Sequence, residues 1–187
     1  MSRALSLKRL GDCAAATSEL ERLLGHVPQA DLAAVAVNLA TVYLEDERPE
    51  AARDLLLRNA HSMPPSAELW GNLGEAYAEL GQLDEAVRAF RRAVRLAPQR
   101  PGHQVRLARG ALRCGGIGEA EAAVEAARAQ GANDVNWAAA ACAVFTLRGR
   151  DEHARQIIEQ TRRDLSEEDR VRFEAEITAL VREGSER

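Results

Sequence analysis

Apolar and small positions along this chain of 187 residues recur every 34 residues. Ala52, Ala86, Ala120 and Ala154 form one column, and Leu39, Leu73 and Leu107, followed by Ala141, form another. Ala40, Gly74, Ala108 and Cys142 make a column of small residues; Tyr43, Tyr77, Ala111 and Phe145 make a mostly aromatic one. Leu56, Phe90, Val124 and Ile158 are large and apolar, while Gly81, Gly115 and Gly149 share a phase that Glu47 occupies in an earlier copy. Pro64 and Pro98 share another. A two-residue insertion near Asp31 brings Gly11, Ala16, Leu20, Leu23 and Pro28 into register. A fixed period of this length marks stacked copies of one supersecondary unit. The copies fall at about 1–32, 33–66, 67–100, 101–134 and 135–166.

Inside the copy at 67–100, Trp70, Leu73, Gly74 and Tyr77 lie on one face of a helix. Gly81 predicts a short turn, and Leu83, Ala86, Val87, Phe90, Ala93 and Val94 predict a second amphipathic helix. Pro98 ends it, because proline cannot continue the hydrogen-bond ladder. Each copy therefore reads as a helical hairpin. The small columns let two helices approach, and Tyr77 and Phe90 fill the space between them. A hairpin of this size cannot bury its apolar face alone, so neighbours must stack. After the fifth copy, Ser166 and the acids Glu167, Glu168 and Asp169 form a helix start. Val171, Phe173, Ile177, Leu180 and Val181 supply its apolar stripe, with Glu167, Glu168, Glu174, Glu176 and Glu183 facing elsewhere. This predicts a capping helix over 167–182. The amino-terminal end begins inside the first helix of a hairpin and carries no equivalent cap.

Trp70, Leu73, Gly74, Tyr77, Ala86, Phe90, Ala93 and Pro98 reproduce the pattern W-x2-L-G-x2-Y…A-x3-F…P. The sequence resembles the tetratricopeptide repeat (TPR) family, and the resemblance covers nearly the whole chain. It implies an all-α, right-handed superhelical solenoid of about five TPR-like hairpins with a C-terminal capping helix, 1–187 forming a single TPR domain. It further implies that the first helix of each hairpin lines a concave surface that binds another protein. On that surface the resemblance places Val37, Asn38, Thr41 and Leu44 from the second copy and Glu68, Asn72, Glu75 and Glu79 from the third. Val105, Arg106, Arg109 and Arg113 follow from the fourth, and Asn136, Ala139, Ala143 and Leu147 from the fifth. Some members of the family clamp a partner's terminal carboxylate with Lys, Asn, Asn, Lys and Arg. The matching positions here are Val37, Thr41, Asn72, Gly102 and Arg106, so only Asn72 and Arg106 agree and such a clamp is disfavoured.

Composition narrows the function. The chain is 46% hydrophobic but only 4% aromatic, and it contains 36 alanines. Alanine favours helices and is depleted in strands, which argues against all-β and collagen-like classes. A net charge of -4 gives no global field that would point to nucleic acid. The charge is segregated instead. Residues 66–85 carry five acids and no base, whereas residues 86–118 carry eight arginines and no acid. The proposed groove would run from mildly apolar through acidic to basic, suiting a peptide or helical segment with its own charge pattern. Arg106, Arg109 and Arg113 would anchor acidic groups, Glu75 and Glu79 basic ones, and Val37 and Leu44 apolar ones. The competing reading is that Glu75 and Glu79 pair with Arg109 and Arg113 across adjacent helices.

Catalytic chemistry finds little purchase. Lys8 is the only lysine, so a Schiff-base enzyme would depend on it alone. His26, His61, His103 and His153 are scattered, and Cys13, Cys114 and Cys142 have no metal-ligand spacing. The run Gly115-Gly116-Ile117-Gly118 follows no strand and contains the repeat's own turn glycine, which argues against a nucleotide loop. The expectation is a protein that is not an enzyme, with no cofactor and no metal. It would act as an interaction scaffold, adaptor or assembly chaperone, with bacterial secretion, pilus or envelope assembly as its setting. Two alternatives stand beside it: a subunit docking, or forming an oligomer, through the uncapped amino-terminal end, and nucleic-acid binding through the belt from Arg88 to Arg113. No stretch reaches the roughly 20 apolar residues of a membrane span, and the start lacks a signal core. The expected location is cytoplasmic, or periplasmic or envelope-associated if a leader or anchor has been removed.

Overall fold

A computed structural model describes Ser6, residues 12–60 and residues 65–186. Ten helices are named here among the described residues: α1 (Cys13–Leu24), α2 (Gln29–Glu45), α3 (Pro49–Asn59), α4 (Ala67–Glu79), α5 (Leu83–Leu96), α6 (Pro101–Arg113), α7 (Ile117–Ala129), α8 (Val135–Leu147), α9 (Asp151–Arg162) and α10 (Glu167–Ser185). The expected repeat is visible in these bounds. First helices begin at Ala67, Pro101 and Val135 and end at Glu45, Glu79, Arg113 and Leu147, each spaced by 34. Second helices begin at Pro49, Leu83, Ile117 and Asp151 with the same spacing. The helix α2 starts earlier than the spacing predicts, at Gln29 rather than position 33. Gly11, His61 and Pro64, like Lys8, lie outside the described residues.

The chain divides into two compact units, Met1–Leu96 and Ala97–Arg187. In the first, consecutive helices from α1 to α5 pack in sequence, and α2 also meets α4. Its core contains Ala16, Leu20, Leu39, Ala40, Ala52, Leu56 and Leu73. These are the apolar and small columns of the sequence. In the second unit α6 to α9 pack likewise, with α6 also meeting α8, and α10 packs on α8 and α6.

Local chemistry explains the boundaries. Asp12, Ser66, Asp134 and Ser166 each accept a hydrogen bond from the backbone N–H three residues on, satisfying an amide that helix geometry leaves unpaired. The four hairpin turns within the described residues pass through a left-handed residue: Glu47 at φ 54°, Gly81 and Gly115 at 72°, and Gly149 at 70°. The next residue's N–H then bonds back to the aromatic-column carbonyl. Arg48 reaches Tyr43 at 2.8 Å, Gln82 reaches Tyr77 at 2.9 Å, Gly116 reaches Ala111 at 2.8 Å and Arg150 reaches Phe145 at 2.7 Å. This closure satisfies helix-terminal carbonyls and needs φ > 0, which glycine adopts without steric penalty. Glu47 does not share that freedom. Glu47→Gly is expected to raise stability by up to about 1.5 kcal/mol. That is the left-handed cost of about 1–2 kcal/mol less glycine's extra unfolded freedom of about 0.5–1 kcal/mol. Urea unfolding of the two chains checks it, and a lowered midpoint would contradict it.

The aromatic column also sets a pH response. The Tyr43 hydroxyl donates to Glu21 Oε1 at 2.6 Å, tying α2 to α1. Burial first, then the Glu21 carboxylate, pushes the Tyr43 hydroxyl up to about 12 from its usual 10. A proton held more tightly in the folded state stabilises it below the unfolded value and ceases to do so as pH passes the folded value. Stability contributed by Tyr43 should therefore hold up to about pH 10 and fall between about pH 10 and 12. Tyr43→Phe should remove that part of the alkaline loss. Urea midpoints of both chains measured across this range decide it, and parallel curves would contradict it.

Candidate functional site

First helices carry the residues that the resemblance places on a binding surface, and the two units treat that surface differently. In the amino-terminal unit the surface belongs to α2 and α4. Val37, Asn38, Thr41 and Leu44 are half-buried there, as are Glu68 and Glu75, while Glu79 is exposed. Asn72 is not presented at all, being 6% exposed. Its amide Nδ2 donates to the Val37 carbonyl at 3.1 Å and to Thr41 Oγ1 at 2.9 Å. Asn72 thus links α4 to α2, because a buried amide must find partners inside the fold. The Thr41 hydroxyl in turn donates to the same Val37 carbonyl at 2.9 Å. Three of the five clamp positions are therefore committed to one another.

In the carboxy-terminal unit the first helices are α6 and α8, and their face carries α10. Arg109 pairs with Glu176 at 3.0 Å and Arg113 with Glu183 at 3.1 Å. Both arginines thus meet acids of α10. Gly184 lies where an added Cβ would sit 2.7 Å from Leu147 Cδ1 and 3.5 Å from the Leu112 carbonyl. Ala139, Ala143 and Leu147 are spaced by four along one side of α8, and the two alanines are buried with no exposure. The sequence expects that row to be presented; α10 packs on α8 and reaches Leu147 instead. Val105 is also buried, at 4% exposure, and Arg106 is half-buried.

The stripe of α10 differs from the expected one. Phe173, Ile177, Leu180 and Gly184 are buried, whereas Val171 is 62% exposed and Val181 half-buried. Glu176 and Glu183 turn toward α6 rather than away from it. Spacings of four, three and four place the buried positions along one line of a helix. Three large apolar side chains of the helix are buried, and two ion pairs tie it to α6.

The arginine belt resolves into two helical groups, with Arg100 at the cap position between them. Arg88, Arg91, Arg92 and Arg95 belong to α5, and Arg106, Arg109 and Arg113 to α6. On the first, the Arg92 guanidinium lies 4.0 Å from the centre of the Trp70 ring. Arg88, Arg92 and Arg95 border a surface cavity of about 480 Å³ together with Trp70, Tyr77 and Leu57.

Cys142 is buried, with its Sγ 3.6 Å from the Ala154 carbonyl, and burial pushes its thiol up to about 12. That environment keeps the thiol protonated and disfavours a thiolate nucleophile. Among the described residues, no three side chains of His, Cys, Asp or Glu come together as a metal site would need. None of the described helices is long and apolar enough to cross a membrane.

Paired helices repeating at 34 residues, closed by left-handed turns and stacked through small and aromatic columns, define a tetratricopeptide-repeat protein. The chain belongs to the TPR family described as the C-terminal domain of cilia and flagella-associated protein 70, whose model matches residues 3–185. No curated protein sequence matches it. Solved structures share the fold. TTC0263, a thermophilic TPR protein of Thermus thermophilus, superposes with a TM-score of 0.76 at 21% identity, over 95% of this chain and 96% of that one. MamA gives 0.70 at 18% identity, over 86% of this chain and 93% of its own. YrrB, described as a TPR protein with an unusual peptide-binding site, gives 0.64 at 18%, over 84% and 80% respectively.

Proposed function

We propose that this protein is a non-enzymatic interaction module, a scaffold or adaptor, that holds a segment of another protein on the face built by its first helices. The observation that carries the reading is internal to the chain. On α6 and α8 that face already carries an amphipathic helix, α10, through buried apolar side chains and the pairs Arg109–Glu176 and Arg113–Glu183. The equivalent face of the amino-terminal unit, α2 and α4, offers Val37 and Leu44 to apolar side chains. Asn38, Thr41, Glu68, Glu75 and Glu79 provide its polar surround. The peptide-binding site named for YrrB agrees with this use of the fold. The alanine- and arginine-rich composition supports a bacterial source, and a setting in secretion, pilus or envelope assembly rests on analogy with bacterial TPR proteins of this size.

Site-specific photo-crosslinking tests the reading. A crosslinking residue at Val37 or Leu44 should capture a partner protein in the native host. The same residue at Leu57, an exposed position on the second helix α3, should capture far less. Capture from Leu57 alone would place the site elsewhere. Leu44→Glu should reduce partner recovery at least ten-fold, since a carboxylate set into an apolar contact loses its hydration without compensation.

A further inference from the structure

A helix that served only to close the repeat stack would continue along the last hairpin. Instead α10 lies on the first helices of two successive hairpins, α8 and α6. Toward α9 it makes two polar ties: Arg162 pairs with Glu174 at 3.2 Å, and Arg170 Nε donates to the Arg162 carbonyl at 2.9 Å. Leu112 and Leu147 meet α10 at Gly184, Arg109 and Arg113 give a basic edge, and the buried Ala139 and Ala143 share the side of α8 that carries Leu147. A small-residue floor admits a helix closely, and the basic edge selects carboxylates on it.

The hold on α10 is uneven. The side chains of Arg109 and Glu176 are 38% and 26% exposed, and those of Arg113 and Glu183 are 31% and 34% exposed. Ion pairs so open to water contribute little to stability but do set register and specificity. The outer side of α10 carries the exposed local pair of Glu168 with Arg172 and the exposed Val171. Attachment therefore depends on one buried line of Phe173, Ile177 and Leu180, together with close approach at Gly184.

We propose that the α6–α8 face is the docking seat for an acidic amphipathic helix of a partner protein, and that α10 occupies this seat until such a helix displaces it. This deepens, and rests on, the reading of first-helix faces as binding surfaces. The chemistry of the partner follows from what α10 presents. Large apolar residues stand at positions i, i+4 and i+7, with a small residue at i+11. Carboxylates stand at i+3 and i+10, seven residues apart, and meet Arg109 and Arg113. Helices that lack the two carboxylates fit the apolar floor but leave the arginines without those partners.

Two measurements on the full chain test the proposal. Native-state hydrogen exchange should show α10 amides exchanging at least ten-fold faster than those of α8, by an opening that leaves α6 to α9 protected. In the second, the probe is a labelled synthetic peptide of residues 166–186, added to the wild-type chain and to the Phe173→Ala/Ile177→Ala chain. The peptide should bind the variant at least ten-fold more tightly than the wild type. Adding Arg109→Glu and Arg113→Glu, or replacing both glutamates of the peptide with glutamine, should weaken that binding at low salt. Co-exchange of α10 with α8, or absence of peptide binding to a variant that retains its helical circular dichroism, would overturn the proposal. A variant that exchanges α10 between copies to give a dimer would also overturn it, by making a second copy the occupant. Crosslinking at Val37 and Leu44 is unaffected by any of these outcomes, so the two readings fail separately.

Discussion

Phe90→Ala should lower the stability of the amino-terminal unit by about 3–5 kcal/mol. Phe90 is buried on α5, and its ring fills the space beside Gly74 on α4. A Cβ added at Gly74 would lie 2.5 Å from Phe90 Cε1 and 2.6 Å from Cδ1, closer than atoms in a well-packed interior can stand. Gly74→Ala alone should therefore cost about 1–3 kcal/mol by overpacking. In a chain that already carries Phe90→Ala, the same change should instead stabilise, because alanine is the better helix residue by about 1 kcal/mol and the obstructing ring is gone. A double-mutant cycle isolates this coupling. Urea unfolding followed through Trp70 fluorescence reads it within the same unit. An equal penalty for Gly74→Ala in both backgrounds would show that the ring is not what the glycine accommodates.

Trp137→Ala should cost the carboxy-terminal unit a similar amount, about 3–5 kcal/mol. Trp137 is buried on α8, and its indole Nε1 donates to the Val124 carbonyl on α7 at 3.1 Å. Trp137→Phe keeps most of the ring burial and loses that bond, so it should cost about 0.5–1.5 kcal/mol for the bond plus a smaller packing loss. The chain has two tryptophans, so either variant leaves Trp70 as an independent probe of the other unit. Equal destabilisation by Phe and Ala would mean that the hydrogen bond, not the ring, carries the position.

Trp137 also shows where column reading fails. Val35, Leu69, His103 and Trp137 share the 34-residue phase and are all buried. A column that holds a valine, a leucine, a histidine and a tryptophan does not stand out as apolar. The neighbouring position, occupied by Trp70, stands out because it matches the family pattern, yet its ring is half-buried and stacked under Arg92. Asn72 is legible in the sequence only as a polar residue on an exposed face. Its burial follows from two acceptors, the Val37 carbonyl and Thr41 Oγ1, which only the meeting of α4 with α2 brings within reach.

The repeated pattern placed the paired helices and their short turns in the sequence itself, because errors at one position are averaged over a column. Phe90 beside Gly74 and Tyr43 before its turn are readable in this way. The helix α10 has no second copy. Its periodicity marks an apolar side, but Val171 and Gly184 exchange roles, and Glu176 and Glu183 face inward. Hydrophobic periodicity is local: it states which side of a helix avoids water and not which neighbour covers that side. That choice depends on the shape and charge of a surface assembled from α6 and α8, more than 20 residues apart in the chain. Only the tertiary structure, which sets Arg109, Arg113 and Leu147 against one helix, decided that the face expected to bind a partner already holds the chain's own α10.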